Sequence, residues 1–353
     1  MMNWLKKWIN REEIAPTLGR WDVFSARQPS LAPVPEDEEI RLDGMVQTAL
    51  SVKRLGILSA RSEIVPANSS ARAVRIAEFV RTAFERMEGT VETCLDAAME
   101  AFASGWSVQE MVFSQDRDGI WLDAVRPKSV ASLGLALDSF GRVSALTHRG
   151  EDSKEVLLPV EKFVVYRYQP ESRHPRGKSD LTTVRPHWLA KRELMAAWKL
   201  HLQRYASPTV LGRFERSVSG EETQTMFDAL RKLSSAGALV FPRDFEVTTV
   251  GGDVSASTGY IDAIDFHNRE IARAILGQTL TTDEGRRVGS LALGKVHLQV
   301  MLLQFASLRK ELADRVVTEQ LIRPLAELNF GPGDTPRYRF EEMTLGAFRL
   351  GEL

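Results

Sequence analysis

A single cysteine, Cys94, stands among the 353 residues. One thiol excludes an intramolecular disulfide framework and suits a reducing compartment. Cys94 lies on an apolar helical stretch, where it reads as a small buried hydrophobe rather than a nucleophile. No run approaches the roughly 18 apolar residues of a membrane span. The opening Met1-Met2-Asn3-Trp4-Leu5-Lys6-Lys7-Trp8-Ile9-Asn10 is positive but has no apolar stretch after it. It therefore reads as a short amphipathic arm that docks on a neighbour or a surface, not as a signal peptide. Charge of one sign is also missing: 46 Lys and Arg against 47 Asp and Glu give a net charge of −1. No global basic field is available to draw the chain to nucleic acid, so such an argument must rest on local charge. The expectation is a soluble, intracellular protein.

Catalytic signatures are equally scarce. There is no H-E-x-x-H, no Cys/His pairing, no G-x-S-x-G elbow and no G-x-G-x-x-G turn. Ser172-Arg173-His174-Pro175-Arg176-Gly177-Lys178-Ser179 imitates a phosphate loop, but Ser172 stands where the first glycine is needed. Pro175 also removes a backbone N–H that the phosphates would require. Asp262, Asp265, His267 and Glu270 could ligate a metal, and the two aspartates share a helix face at i,i+3. The same segment carries Ile261, Ile264, Ile271 and Ala274 as an amphipathic stripe, so its polar face is most simply a solvated one. His148, His174, His187 and His201 look scattered. This reading assigns no catalytic residue, no metal and no cofactor.

What is present is a chain with 43% apolar and 26% charged residues, enough to fold, and long enough for two or three domains. Pro16, Pro29, Pro33 and Pro35, followed by Glu36-Asp37-Glu38-Glu39, predict an extended arm to about Asp43. Residues 44–61 predict a helix with a basic end. A helix capped by Asn68-Ser69-Ser70 runs from Ala71 to Met87, and another from about Thr90 to Ser104. Short β-branched and aromatic runs at Trp106–Phe113, Ile120–Val125, Val143–Thr147 and Phe163–Tyr168 predict a strand-rich region with hairpin turns. A helix from about Leu181 to Tyr205, roughly 37 Å long at 1.5 Å per residue, tolerates Pro186 near its first turn. A small block follows: a strand at 209–214, a helix at about 220–234 and strands near 237–241 and 245–250. A helix from Ser257 to Leu276, a polar loop to Gly289 and a helical pattern from Ser290 to Asn329 complete the series. The first half of that last helix is apolar nearly all round, which requires cover from a core or from another subunit. Arg337–Phe340 reads as a possible strand. The fold class is α+β, discontinuous, with no internal repeat.

Charge is uneven locally. Between Glu171 and Arg216 the bases Arg173, Arg176, Lys178, Arg185, Lys191, Arg192, Lys199, Arg204, Arg213 and Arg216 outweigh Glu171, Asp180, Glu193 and Glu215. A solvated helix face explains this, and so does sequence-independent contact with phosphate. Thr281-Thr282-Asp283-Glu284-Gly285-Arg286-Arg287-Val288-Gly289 is longer than most connections and is a candidate functional loop.

Four stretches resemble the Mu-type branch of tailed-phage portal proteins. The most specific is Ile271-Ala272-Arg273-Ala274-Ile275-Leu276-Gly277-Gln278-Thr279-Leu280-Thr281-Thr282, with Gly289-Ser290-Leu291-Ala292 and Val296-His297 after it. Ala101 to Val112, Gly177-Lys178-Ser179-Asp180-Leu181 and Tyr205-Ala206-Ser207-Pro208 appear in the family's order. The resemblance implies a ring, usually a dodecamer, at one capsid vertex, assembled in the host cytoplasm, whose channel passes double-stranded DNA. It implies an arm (1–44), a wing (45–180), stem helices (181–206 and 256–276) around a clip (207–255), and a tunnel loop (277–289). Residues 290–353 would supply a long wing helix and a short C-terminal crown or wing segment. The implied partners are further copies of the chain, the DNA, the terminase motor, the head–tail connector and the major capsid protein, with no membrane. Thr281, Thr282, Asp283, Glu284, Arg286 and Arg287 would then line the channel, the two arginines nearest DNA, with Lys191, Arg192 and Lys199 as stem candidates. Rival readings are a metal-dependent nucleic-acid enzyme using Asp262, Asp265 and His267, or a virion connector component that does not touch DNA.

Overall fold

The computed structural model describes residues 36–149, 155–205, 209–214, 216–232, 245–250, 257–278 and 291–341. They fall into two units, residues 1–185 with 271–353, and residues 186–270.

In the first unit, α1 (Glu36–Arg41) leads into α2 (Gly44–Leu58). Residues 36–41 were expected to be extended; glutamates in the first turn favour the helix through its dipole. Asp43 caps α2, accepting from the N–H groups of Met45 and Val46 at 2.9 and 3.3 Å. Val46, Ala49, Lys53 and Ile57 recur at helical spacing and all are buried, so the expected basic end is replaced by one lysine inside the apolar stripe. Ser70 caps α3 (Ala71–Arg86). The helix expected over 90–104 is two pieces, α4 (Val91–Ala98), opened by a Thr90/Thr93 capping box, and α5 (Ala101–Ser104).

Gly105, at φ 84°, turns the chain into β2 (Trp106–Gln115). β2 is the centre of an antiparallel sheet between β3 (Ile120–Lys128) and β7 (Phe163–Arg167). A second antiparallel sheet orders β4 (Leu133–Leu137), β5 (Val143–Arg149) and β6 (Glu155–Pro159). The two sheets share one apolar cluster: Trp106, Val108, Leu133, Leu146 and Phe163. β1 (Ser62–Val65) pairs antiparallel with β10 (Arg337–Phe340), whose near end, Arg337 opposite Val65, lies 272 residues further along the chain.

The last helical region closes the first sheet. α9 (Leu291–Leu312) runs into a π-helical stretch, Ala313–Ile322, and then α10 (Arg323–Phe330). Gln320 accepts from the Val165 N–H at 2.7 Å and donates to the Val165 carbonyl at 3.1 Å. Asn329 does the same to Ile120, at 2.8 and 2.9 Å. β7 and β3 are the two outer strands, so each open edge is met by one carboxamide, which satisfies main-chain groups that an edge leaves free. Nine residues of helix span about 13 Å, and two strand spacings span about 10 Å, which is why one helical segment reaches both edges. Of the apolar face of α9, Met301 and Phe305 are buried, whereas Val296, Val300 and Leu303 are 53%, 45% and 70% exposed.

In the second unit, residues 186–205 of α6 (Asp180–Tyr205) accompany β8 (Thr209–Phe214), α7 (Gly220–Lys232), β9 (Phe245–Val250) and residues 257–270 of α8 (Ser257–Leu276). β8 and β9 form an antiparallel pair from Thr209↔Val250 to Phe214↔Phe245. The strand expected near 237–241 lies outside the described residues.

Candidate nucleic-acid interface

The start of α6 is set by close backbone packing and a buried ion pair. Gly177 has φ 110° and lies against the backbone of Gly105; a Cβ there would come within 2.7 Å of the Tyr168 carbonyl oxygen. Lys178 N–H donates to that carbonyl at 2.8 Å. Ser179 Oγ donates to the Ala103 carbonyl at 2.5 Å and accepts from the Leu181 N–H at 3.0 Å. The Gly-Lys-Ser-Asp run is thus occupied in seating a helix, and its backbone N–H groups do not form a phosphate cradle.

Lys53 Nζ reaches Asp180 Oδ2 at 2.7 Å and the Tyr168 hydroxyl at 3.0 Å, and it sits 4.4 Å from the Phe102 ring centroid. The two side chains are 5% and 9% exposed. Burial is the dominant influence on both: it lowers the Lys53 pKa and raises that of Asp180, against their mutual attraction. A second buried group, Glu110, lies 3.1 Å from Lys128 Nζ and 3.7 Å from Lys162 Nζ.

Of the stem candidates, Arg192 and Lys199 are exposed and Lys191 is half-buried. The Arg192 guanidinium stands 4.6 Å from the Trp188 ring one turn earlier, a cation–π contact that holds its stem against the helix. α6 and α8 pair antiparallel in the second unit: His187 meets His267, and His201 stacks toward Tyr260 at 5.5 Å. Asp262 is exposed and Asp265 half-buried. Among the described residues no three His, Cys, Asp or Glu side chains gather where a metal could be held, so Asp262, Asp265 and His267 do not form a cluster. His267 was expected on a plain solvated face; instead its Nδ1 lies 3.2 Å from Nδ1 of His187. Sequence spacing could not have paired two residues 80 positions apart.

Thr281, Thr282, Asp283, Glu284, Arg286 and Arg287 lie outside the described residues. The chain that leads into their loop is firmly built. Ile275 and Leu276 are buried, and Gly277 ends α8 at φ 70° with its N–H on the Arg273 carbonyl at 2.9 Å. A Cβ on Gly277 would lie 3.0 Å from Gln304 Oε1, and only glycine adopts that backbone without cost. Gln278, 3% exposed, donates to the Met301 sulfur at 3.3 Å. The Ile-Leu-Gly-Gln run is therefore a helix stop pinned to α9.

A curated relative, the Mu-like prophage FluMu protein gp29 of Haemophilus influenzae, is 23% identical over 91% of this chain and 62% of its own length. The portal protein of Escherichia phage Mu is 24% identical over 79% of this chain and 54% of its own. The chain thus spans roughly half to three fifths of these relatives. Among solved structures, a chain from the neck of an empty gene transfer agent (GTA) particle superposes with a TM-score of 0.64 at 10% identity, covering 92% of this chain and 89% of that one. A chain from the virion of the native particle gives 0.63 at 11% identity, over 97% and 92%. The α+β fold is shared with these neck and virion chains. The family described as portal protein of Mu bacteriophage matches residues 37–344, nearly the whole of what is described here, and the chain belongs to that family.

Proposed function

We propose that the chain is a portal subunit: a ring at the capsid vertex whose channel passes double-stranded DNA during packaging and ejection and which docks the head–tail connector. The family match across residues 37–344 carries this reading. Neck particles whose chains share the fold were computed with C6 and C12 symmetry, which supports a ring of twelve. The exposed Val296, Val300 and Leu303 on α9 fit a surface that another copy covers.

In this reading residues 45–180 and 290–353 form the wing with any short crown, 181–206 and 256–276 the stem, 207–255 the clip and 277–289 the tunnel loop, after an arm at 1–44. The subunit acts mechanically and electrostatically, without catalysis. Arg286 and Arg287 lie nearest DNA, with Lys191, Arg192 and Lys199 contributing from the stem, and Asp283, Glu284, Asp262 and Asp265 offset them. Such a lining holds phosphates weakly, as a channel must if DNA is to move through it. Terminase, connector and major capsid protein are the partners, in a virion assembled in the host cytoplasm.

Native mass spectrometry with negative-stain imaging tests the ring. A closed assembly of about a dozen copies with a hole wider than the roughly 20 Å of B-DNA is expected; an assembly without a DNA-wide channel would sink the proposal. Replacing Arg286 and Arg287 together by alanine should leave ring assembly intact and impair DNA packaging or retention. Normal packaging by that variant would remove the two arginines from their role.

A further inference from the structure

The tip of the β4–β5 hairpin displays an aromatic ring on a rigid turn. Asp138 Oδ1 accepts from the N–H groups of Phe140 and Arg142 at 2.9 and 2.8 Å, and the Asp138 N–H donates to the Arg142 carbonyl at 2.9 Å. Gly141 completes the turn at φ 77°. Phe140 is 82% exposed, and the Arg142 guanidinium lies 5.9 Å from its ring centroid. A lone exposed ring is ordinary on a protein surface; the charge around this one is not. One guanidinium nitrogen of Arg167, on β7, donates to the Pro175 carbonyl at 3.0 Å and to the Gly141 carbonyl at 3.5 Å. That contact draws the hairpin turn and the 171–177 turn together, and with them Arg142, Arg173 and Arg176, all exposed. The carboxylates at hand do not match them. Asp138 is occupied by its turn, Glu311 pairs with Arg315 at 3.1 Å, and the second turn supplies Glu171 alone. Among the described residues no carboxylate pairs with Arg142, Arg167, Arg173 or Arg176. Burial, and then the charge of Arg315, hold the Arg167 pKa below its usual value, although the group stays a cation.

We propose that this patch is a second contact for double-stranded DNA: Phe140 enters the minor groove, Arg142, Arg173 and Arg176 meet the flanking phosphates, and Arg167 holds the two turns in register. The planar fork of arginine suits phosphate oxygens. An apolar wedge beside arginine is a means of gripping the minor groove with little regard to sequence. An acidic protein segment would match the charge but not the projecting ring. The site lies wholly within the first unit. It takes from the proposed function only the identity of the ligand, and it requires neither a closed ring nor Arg286 and Arg287.

The test is fluorescence anisotropy of a labelled duplex of about 20 base pairs and mixed sequence, with the full-length chain, in salt from about 50 to 200 mM. Arg142→Gln/Arg176→Gln should weaken binding about tenfold or more near 0.1 M salt and lower the slope of log affinity against log salt by about 2. Phe140→Ala should weaken it about threefold or more and leave the slope unchanged. Arg75→Gln, at an exposed position on α3, should do neither. The same losses should appear in a chain that already carries Arg286→Ala and Arg287→Ala, which separates the patch from the tunnel loop. A loss confined to those two loop substitutions would place the DNA contact there and overturn the proposal. Absence of duplex binding by the wild-type chain at the lowest salt, or an unchanged slope in the double variant, would overturn it as well. Should poly-glutamate bind as tightly as the duplex, with Phe140→Ala altering neither, the partner is an acidic protein segment and the assignment to DNA fails. If the double variant does not fold, Phe140→Ala and Arg142→Gln decide separately, the latter through a slope change of about 1.

Discussion

Replacing Lys53 by methionine isolates what the buried ion pair contributes. Methionine keeps most of the volume and the apolar stem, so the change removes the charge and the hydrogen bonds to Asp180 and Tyr168 while leaving Phe102 packed. Asp180, its side chain 9% exposed, is then a buried carboxylate without its cation. Removing one partner of a buried pair costs about 3–5 kcal/mol, whereas replacing both with neutral groups costs far less. Burial already raises the Asp180 pKa in the intact protein, and losing Lys53 must raise it further. A carboxyl whose folded-state pKa lies above its unfolded value stabilises the fold at low pH and loses that contribution as pH rises. The Lys53→Met penalty should therefore be about 3 kcal/mol or more at pH 7 and shrink toward pH 5, by up to about 1.4 kcal/mol per pH unit. Urea unfolding followed by tryptophan fluorescence at the two pH values measures it. Lys53→Met/Asp180→Asn should recover more than half of the loss at pH 7. Equal costs for single and double variants, or a pH-independent single, would refute the account.

Gly177→Ala should cost about 2–3 kcal/mol, because positive φ and a backbone collision act together. Gly141→Ala, at φ 77° with open space around it, should cost only about 1 kcal/mol, and equal losses would show that the collision with the Gly105 and Tyr168 backbone is relieved. Gln320→Ala and Asn329→Ala each strand one N–H and one carbonyl on an edge strand. Each should cost about 1–3 kcal/mol, and the double variant should be near additive in thermal unfolding; strong coupling would mean the two edges open together. Burial pushes the Cys94 thiol up to about 12, so a disulfide reagent at pH 8 should label it only on unfolding. Rapid labelling of the native chain would show that α4 opens locally.

Long periodic elements were readable before any coordinates: α6, α8, α3 and the strands on either side of the Asp118-Gly119 turn fell close to their observed bounds. Their hydrophobic spacing is local, and so is the physics that forms them. β4, Leu133-Gly134-Leu135-Ala136-Leu137, has no β-branched residue, and β6 ends in Pro159, allowed only because it is an edge strand. β1 needs β10, far along the chain, and neither is a stable strand alone. The π-helical stretch leaves no periodic mark that differs from an α-helix. Long-range polar pairing was least legible: His187–His267, Gln320–Val165 and Asn329–Ile120 are set by packing of distant segments. Lys53 did leave a trace, a charge at a buried position of the Val46–Ala49–Ile57 stripe. Within the family motif, Ile275–Gln278 has a physical role that the residue pattern alone does not display, the helix stop at Gly277. The loop residues from Thr281 to Arg287 and the stem bases rest on the resemblance and on local charge alone.

Hydrophobic burial is non-directional, so it can bury the first turn of α6, Asp180–Arg185, within the first unit without fixing where the helix begins or how that turn is rotated. The residues around Asp180 supply that direction. Gly105 and Gly177 let two backbones touch, which sets the distance; Ser179 bonds one to the other, which sets the register. Lys53 and Asp180 then fix the rotation, since a turn of the helix would carry a buried carboxylate away from the Lys53 ammonium. The pair gains little stability over apolar residues of like size, because burial opposes ionisation at both ends. What it adds is intolerance of alternatives, since every misrotated start of α6 strands a charge. That cost structure explains why a run resembling a phosphate loop, Gly177-Lys178-Ser179-Asp180, occurs where no phosphate cradle is formed: small residues for approach, a hydroxyl for register and a carboxylate for rotation are also what a rigidly seated helix requires.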